Sequence, residues 1–427
     1  MIAILYTIIM ILLLNRYRKA KSVSRFFVLV LTITALGSYL VGQMPEFKEL
    51  SDLINLFYTC LIIFLLCDGF KRYSNVTQIT GGDNKSFELF SKIVLVFCLF
   101  SILIHGLLLM YVLPMISDFG DWKGDFDAQE SFFYKLPIPH SIISLASILA
   151  AFSLFALPIH FYYLQKKNLK LAVWYGVASL SSIVRGLVIF SRSSFVLFGS
   201  LYILFLLLFF KSFDYKIKRG LRKMLLIPLI GAFVIFFSIS SNRFDDTGVL
   251  KIEEKSLIKD DFLYSFFDYG CQWFGDNFVL ARDYKNEPLG GVFSNALIND
   301  FFLHIDVKEI RTRLWGNRDT AFVGLFCIWL FDFGYIGAIL LSLLFRTIAY
   351  KYRPRNGVIT MNGLFVFCVL AVLPAMSFTG NMLAVTWYHY SIIILLIYVI
   401  LSPKTSRRKR LISNVNKTTK QENLLCV

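Results

Sequence analysis

Two arginines lie inside or directly beside apolar runs of this 427-residue chain. Of all the residues in the sequence, their surroundings indicate a chemical role most clearly. Arg185 lies in the run VRGLVIF, and Arg192 follows seven positions later in SRSSF. Residues seven apart share one face if a single helix continues through both. A guanidinium inside a membrane costs about 2.5–3.5 kcal/mol on insertion scales, so it needs a partner or a cavity. Because Arg binds phosphate oxygens with a planar fork of donors, both side chains are predicted to hold a phosphate or diphosphate.

A carboxylate also interrupts an apolar run. Asp332 lies in FCIWLFDFGYIG and is followed by Gly334 and Gly337, which weaken a helix or allow another helix to approach closely. A buried carboxylate requires a cation, and Arg185 is the expected partner. We therefore predict that Asp332 belongs to a structural ion pair. For Arg185 and Arg192 the same structural role, or a guanidinium that reaches interfacial water, is the alternative to ligand binding.

The longest polar stretch between apolar runs is 241–319, which carries ten Lys or Arg, fourteen Asp or Glu and one His. Several of its arginines lie near its junctions with the apolar runs. A folded segment can bring such cations to one membrane level and form an anion pocket, and a solvated surface charge is the alternative for each of them. The candidates for diphosphate binding are Arg243, Arg282, Arg311, Arg313 and Arg318.

The same polar stretch is the expected source of an acid–base group. His304 is its only histidine, and a neutral imidazole can serve as a general base. Asp245, Asp246 and Asp276 compete for that role, and no spacing selects one of them. A packed or solvated His304 is the alternative interpretation.

The elements that position these side chains are predicted to be helices that cross a membrane. The chain is 57% hydrophobic with a mean hydropathy of +0.64, and its 17% of charged residues is well below the roughly 25% typical of soluble domains. Apolar runs of about 20 residues recur throughout, long enough to span the hydrocarbon core. The prediction is an all-α polytopic membrane protein with eleven spans: 1–14, 26–42, 53–70, 93–113, 140–164, 171–190, 193–210, 224–240, 320–345, 357–376 and 385–402.

The distribution of basic residues predicts the orientation of these spans. Segments 15–25, 71–92, 165–170, 211–223, 346–356 and 403–427 hold 29 of the 44 Lys and Arg, which marks them as cytoplasmic. The N-terminus is then outside and the C-terminus cytoplasmic. The chain divides into helices one to eight (1–240), a large outer loop (241–319), helices nine to eleven (320–402) and a basic cytoplasmic tail (403–427).

Several partners and cofactors are disfavoured by the sequence. The net charge of +16 comes mainly from short inter-helix segments, which indicates membrane topology and not a nucleic-acid surface. Seven scattered Cys with no CxxC or Cys/His spacing predict neither a disulfide framework nor a metal site. No phosphate-binding loop, HExxH or GxSxG occurs, so no cofactor is expected, and ATP-driven transport and zinc proteolysis lose support.

Taken in order, these features resemble the bacterial O-antigen and capsule repeat-unit polymerases, the Wzy type of oligosaccharide polymerase. The resemblance covers roughly residues 171–345 and consists of an SR pair at an outer helix turn, a large outer loop, and the helix that follows that loop. Unlike members with a second arginine-rich outer loop, this chain has an acidic outer segment at 114–139. The matching residues are Ser191–Arg192, Asp319–Thr320, the D-F-G-x-x-G-like run at 332–337, and the Arg-x10-Gly spacing of Arg313 and Gly324.

The resemblance implies a metal-independent glycosyltransferase in the bacterial inner membrane. It would move a growing glycan from undecaprenyl diphosphate to an incoming lipid-linked repeat unit at the outer face, building lipopolysaccharide O-antigen or capsule. Arg192 and Arg313 would stabilise the departing diphosphate, and either His304 or an acidic residue of the outer loop would be the base. Besides membrane lipid, a chain-length regulator and a flippase are the implied partners. Aromatic side chains could stack on sugars or pack the loop core, namely Tyr264, Trp273, Phe274 and Trp315.

Two other functions share these features. A ligase that moves finished glycan to another acceptor has the same architecture. A flippase or exporter of lipid-linked oligosaccharide would instead need polar residues along a path across the bilayer, whereas the charges here gather toward one side. Simple transport also leaves the 79-residue polar stretch 241–319 unexplained.

Overall fold

Helices make up most of the computed structural model, which describes residues 2–18, 23–43, 47–112, 138–189, 191–209, 211–223, 226, 230, 252, 254–316 and 323–401. The helices of the first half are α1 (Ile2–Arg16), α2 (Val23–Leu40), α3 (Leu50–Asp68), α4 (Lys85–Val112), α5 (His140–Leu149), α6 (Ser153–Gln165), α7 (Leu169–Ser179), α8 (Ser181–Val188) and α9 (Arg192–Phe209). Those of the second half are α10 (Asp261–Ala281), α11 (Val307–Trp315), α12 (Leu325–Lys351), α13 (Met361–Met376) and α14 (Thr386–Leu401).

Shorter elements join these helices. A 3-10 turn (Ala150–Phe152) links α5 to α6, a second one (Met382–Ala384) precedes α14, and Ala296–Ile298 with the π-helical turn Asn299–Leu303 precedes α11. Strands β1 (Gln78–Thr80) and β2 (Val358–Thr360) pair in parallel.

Polar side chains mark where several helices begin. Asn168 accepts a hydrogen bond from the backbone of Leu171 at the start of α7. Asp260, Asp306 and Thr360 cap α10, α11 and α13 in the same way. Each cap satisfies a donor that the first turn of a helix leaves free, so these short polar side chains fix the helix boundaries.

The helices fit a membrane-embedded protein. Six stretches are long and apolar enough to cross a bilayer, and four shorter apolar helices accompany them. Together these coincide with ten of the eleven predicted spans, and the eleventh, 224–240, lies almost wholly outside the described residues. The helical fold class is therefore confirmed, the apolar helices fit a membrane-embedded protein, and the number of spans stays a prediction. The tail 403–427 and most of segment 114–139 also lie outside the described residues.

Five of the six basic segments meet at one end of the bundle, which we call the basic end. Asp68 pairs with Arg346 at 2.8 Å and with Arg16 at 3.9 Å. Lys167 pairs with Asp214 at 3.6 Å. The β1–β2 pairing joins segment 71–92 to the chain that follows α12, and the side chain of Gln165 accepts from the backbone of Ile79 at 2.6 Å. These contacts place segments 15–25, 71–92, 165–170, 211–223 and 346–356 together.

The described part of the polar stretch packs on the other end of the bundle. The backbone of Leu257 donates to that of Leu40 at 2.9 Å, and Gln43 is hydrogen-bonded to Asp268. Helix α10 then crosses α2, where Gly37 lies so close to Cys271 that a Cβ atom would not fit. Residues 254–316 are therefore a folded layer on the helix ends and not a solvated loop.

The aromatic side chains considered for sugar stacking form the core of this layer. Their exposed fractions are 1% for Tyr264, 1% for Trp273, 0% for Phe274 and 4% for Trp315. Phe274 contacts Tyr6 of α1 with ring centroids 4.8 Å apart, and Trp273 contacts Phe326 of α12. Side chains buried to this degree cannot stack on a sugar ring, so they hold the layer against the bundle.

Helix α12 is broken at Gly334, whose φ of 67° and ψ of 178° are not helical. Two carbonyl groups beside the break accept hydrogen bonds from an inserted chain segment: Phe331 from the backbone of Leu289 at 2.9 Å, and Asp332 from that of Gly291 at 3.2 Å. Irregular backbone at membrane depth is tolerated where protein covers it or where it borders a cavity. The break therefore brings residues 289–294 beside Asp332.

Candidate functional site

A cavity of about 270 Å³ lies where the α8–α9 turn meets the α13–α14 linker. The linker also contacts the start of α12, because the backbone of Leu325 donates to that of Ser377 at 3.1 Å. The cavity is thus at the end of the bundle opposite the basic end. Its polar lining consists of Ser182, Arg185, Ser191, Ser193, Ser194, Thr379 and Asn381, with Trp387 beside them.

Arg185 gives this cavity its positive charge. It lies in the last turn of α8 and is partly buried. Among the described residues no acidic side chain lies within ion-pair distance of it. A guanidinium in such surroundings is costly unless a cavity, water or a ligand compensates it. Arg185 is therefore available to an anion in the cavity.

Three serines at the start of α9 form the facing wall. Ser191 and Ser193 lie 2.8 Å apart through their hydroxyl groups, and the backbone of Ser191 donates to that of Gly186 at 2.8 Å. A Cβ atom on Gly186 would lie only 2.6 Å from the Ser194 side chain, so glycine allows the two helices to meet here. The first N–H groups of a helix lack intrahelical partners and attract anions, which adds donors to the hydroxyl groups.

Arg192 is the first residue of α9, between two of these serines. Its neighbours Ser191 and Ser193 line the cavity, while its own side chain lies outside the described part of the structure. Arg185 and Arg192 lie on two separate helices, α8 and α9, and not along one face of a continuous helix.

Asn381 closes the cavity on the linker side. Its Oδ1 accepts from the backbone of Leu383 at 3.1 Å, and its Nδ2 donates to the Ser294 hydroxyl at 2.9 Å. The side chain is only 4% exposed. The linker thereby connects the cavity to the segment inserted at the break in α12.

The predicted ion pair between Asp332 and Arg185 is wrong. Asp332 is fully buried and accepts from the backbone of Phe293 at 2.8 Å and from the Ser294 hydroxyl at 2.5 Å. The break in α12 supplies these donors, so hydrogen bonds take the place of the expected cation. Asp332 remains connected to the cavity, since Ser294 binds Asn381.

Arg282, predicted to bind diphosphate, is held by a carboxylate elsewhere. Its Nε and Nη2 donate to the two oxygens of Asp52 at 2.8 and 3.0 Å, and the Asp52 side chain is fully buried. The hydrogen bond to Asp52 raises the pKa of Arg282 above its ordinary value. This bidentate pair joins the end of α10 to the start of α3, which indicates a structural role.

The remaining predicted arginines are distributed as follows. Arg311 lies over the ring of Trp315, with its guanidinium carbon 5.5 Å from the centroid. Trp315 stacks on Phe293 at 5.2 Å, so α11 is in contact with the Asp332 network. Arg313, on the same helix, is exposed. Arg243 and Arg318 lie outside the described residues.

His304 is exposed and has a left-handed backbone conformation with φ of 50°. It follows the π-helical turn and is not among the residues that line the cavity. The cavity lining therefore gives no support to the predicted role of His304 as the base, which stays a prediction. The described lining residues offer no other base, because their polar groups are guanidinium, hydroxyl and amide groups. Clusters of three His, Cys, Asp or Glu side chains suited to a metal ion do not occur in the described ranges.

The sequence interpretation missed the linker wall. Thr379 and Asn381 lie between the apolar helices α13 and α14, and Trp387 lies in the first turn of α14, all within SFTGNMLAVTW. The signal was present as a polar turn with a glycine inside an otherwise apolar region. What the pattern could not give was the fold that brings this turn to the α8–α9 turn.

Comparisons of the chain with family models, curated proteins and solved structures find no match. The fold and the cavity define the class of the protein on their own. It is a mostly helical protein suited to a membrane, with a cavity of positive charge and hydrogen-bond donors at one end of its bundle.

Proposed function

We propose that this protein polymerises undecaprenyl-diphosphate-linked oligosaccharide repeat units into a surface polysaccharide, O-antigen or capsule, at the outer face of the bacterial inner membrane. The glycan leaves its lipid diphosphate and joins the non-reducing end of the next lipid-linked unit. The N-terminus is then outside, the C-terminus is cytoplasmic, and a flippase and a chain-length regulator act beside it.

The observation that carries this proposal is that Arg185 lines one cavity of about 270 Å³ together with hydroxyl and amide side chains. The cavity contains a cation without a described acidic partner, and the start of α9 opens onto it. A diphosphate matches these groups because guanidinium, hydroxyl and helix N-terminal N–H groups all donate to its oxygens. The apolar helices around the cavity suit the polyprenyl chain of the same ligand.

The chemistry needs little more than charge stabilisation. The bond from the anomeric carbon to the diphosphate oxygen breaks, and that carbon bonds to the acceptor hydroxyl oxygen, which loses its proton. Negative charge grows on the departing diphosphate, where Arg185 and Arg192 lower the barrier by electrostatic stabilisation. The candidate proton acceptors are His304, a carboxylate of the polar stretch 241–319 and the leaving diphosphate itself.

The test is the length of the polysaccharide made by cells that carry Arg185→Ala or Arg192→Ala. Each change is expected to reduce long-chain polymer by roughly 100-fold or more, because a group that binds the developing charge is lost. Lipid-linked single repeat units should persist. The matched control is Arg219→Ala, which removes an exposed arginine from the basic end.

Three outcomes would contradict the proposal. Normal chain lengths in both cavity variants would remove the assigned role of the arginines. Long polymer left on undecaprenyl diphosphate in a deletion strain would instead identify a ligase. Repeat units trapped on the cytoplasmic leaflet, measured by enzyme access in oriented vesicles, would identify a flippase.

A further inference from the structure

Three buried polar side chains form a hydrogen-bonded series that extends from the break in α12 to the cavity. Asp332, Ser294 and Asn381 have exposed fractions of 0%, 2% and 4%. The Ser294 hydroxyl lies 2.5 Å from Asp332 and 2.9 Å from the Asn381 amide nitrogen. Asp332 belongs to α12, Ser294 to the segment inserted at its break, and Asn381 to the α13–α14 linker. It is therefore the tertiary fold that brings these three side chains into contact.

The direction of each hydrogen bond follows from which groups can donate. A carboxylate only accepts, so the Ser294 hydroxyl hydrogen points to Asp332 and the hydroxyl oxygen is left to accept. The Leu383 backbone N–H only donates, and it lies 3.1 Å from the Asn381 side-chain oxygen. The Asn381 amide therefore has one orientation, with its nitrogen toward Ser294 and its oxygen toward Leu383.

One N–H group of Asn381 remains after these contacts. Ser294 takes one of the two hydrogens on the amide nitrogen, and the second has no acceptor among the described residues. Asn381 lines the cavity together with Arg185 and the serines of α9. The remaining N–H is thus a donor of fixed orientation beside a cation.

We propose that Asp332 is a positioning residue, which acts through Ser294 to hold the Asn381 amide with an N–H toward the cavity and so favours phosphate-type oxygens as ligands. The inference rests on the proposed function, since it names the group that recognises the diphosphate. Without the carboxylate, the Ser294 hydroxyl turns and donates to the Asn381 side chain. This contact favours the flipped orientation of the Asn381 amide, in which its oxygen, an acceptor, faces the anion.

The experiment measures binding of two probes, inorganic pyrophosphate and farnesyl diphosphate, to the purified full-length protein in nanodiscs. Asn381→Leu keeps the side-chain size and removes the amide, and it is expected to weaken Kd roughly tenfold or more, as for a hydrogen bond to a charged group. Ser294→Ala and Asp332→Asn should each weaken Kd by at least about threefold, although neither residue lines the cavity.

A double-mutant cycle separates positioning from general stabilisation. If Asp332 acts through Asn381, adding Asp332→Asn to Asn381→Leu causes no further loss of affinity, whereas independent effects would add. Ser294→Ala with Asn381→Leu gives the same cycle if Asp332→Asn does not yield folded protein. Additive losses, or affinities unchanged by Ser294→Ala and Asp332→Asn, would overturn the inference.

The two probes also identify the source of the ligand. Binding of both probes supports recognition of the diphosphate itself, and binding of farnesyl diphosphate alone supports a lipid-linked one. Binding of neither probe to the unmodified protein would overturn the inference. If the probe affinities respond as expected but Arg185→Ala leaves polysaccharide length normal, the positioning role holds and the proposed polymerase function fails.

Discussion

Arg282 and Arg185 differ in the chemical groups that surround their guanidinium groups. Arg282 has a bidentate carboxylate partner in Asp52, whereas Arg185 faces hydroxyl and amide groups in a cavity. The first arrangement neutralises its charge inside the protein, and the second leaves the charge to a ligand. The same residue type therefore stabilises the fold at one position and is suited to binding at the other.

Removing the carboxylate from the first pair should destabilise the protein. We expect Asp52→Asn to lower the free energy of unfolding by about 3–5 kcal/mol, because Arg282, with a side chain only 15% exposed, then loses its bidentate carboxylate. An SDS titration in mixed micelles measures the change. Adding Arg282→Gln to Asp52→Asn should recover part of the loss, since the guanidinium charge that Asp52 held is then gone.

The matched control for that prediction is an exposed pair. Glu88 and Lys92 are four residues apart on α4 with side chains 63% and 69% exposed, so Lys92→Ala should leave the unfolding midpoint nearly unchanged. An equal effect of Asp52→Asn and Lys92→Ala would show that the Arg282 contact does not hold α10 to α3.

At the scale of elements, the break in α12 places Asp332 beside the inserted segment 289–294. Without it, a continuous helix would use the carbonyl groups of Phe331 and Asp332 in its own hydrogen bonds, and Leu289 and Gly291 would lose their acceptors. The wall of the cavity therefore depends on a backbone conformation that glycine adopts readily and other residues rarely do.

Gly334→Ala tests this dependence. The conformation at φ 67° and ψ 178° costs a non-glycine residue about 1–3 kcal/mol, and a Cβ atom would lie 2.9 Å from the Tyr284 hydroxyl. We expect a lower melting temperature in detergent and weaker pyrophosphate binding. Gly199→Ala is the control, because that position lies in α9 with open space around it and should gain helix stability.

At the scale of the whole molecule, the two ends of the bundle differ in chemistry. The basic end gathers five of the basic segments through ion pairs and the β1–β2 pairing. The other end has the folded layer 254–316 and the cavity. Positive segments remain on the cytoplasmic side during insertion, which predicts that the cavity end faces outward.

Cysteine labelling tests that orientation. Phe302, in the folded layer, is 76% exposed, and Tyr215, at the basic end, is 77% exposed. In a Cys426→Ser background, a membrane-impermeant maleimide should label Phe302→Cys in intact spheroplasts and Tyr215→Cys only after permeabilisation. The native cysteines of the described residues are all buried, so their labelling should be low. The reverse pattern would place the cavity in the cytoplasm and contradict the proposed function.

The sequence predicted the helices well because membrane helices depend on local composition. Apolar runs of about 20 residues have to form helices in hydrocarbon, where each backbone group needs an internal partner. Arg185 was identified for the same reason, since a charge in an apolar run is costly wherever the helix goes. The partners of Arg282 and Asp332 were not predictable, because they come from segments that are 230 and 38 residues away.

The sequence by itself therefore determined the helical membrane class, the segments that carry basic charge and the arginine that needs a cavity, since all three depend on the local cost of placing polar groups in lipid. Only the tertiary structure decided which polar groups meet. It gave Asp332 a serine in place of an arginine, gave Arg282 to Asp52, and brought Asn381 to Arg185, because long-range packing and the break at Gly334 fix those distances.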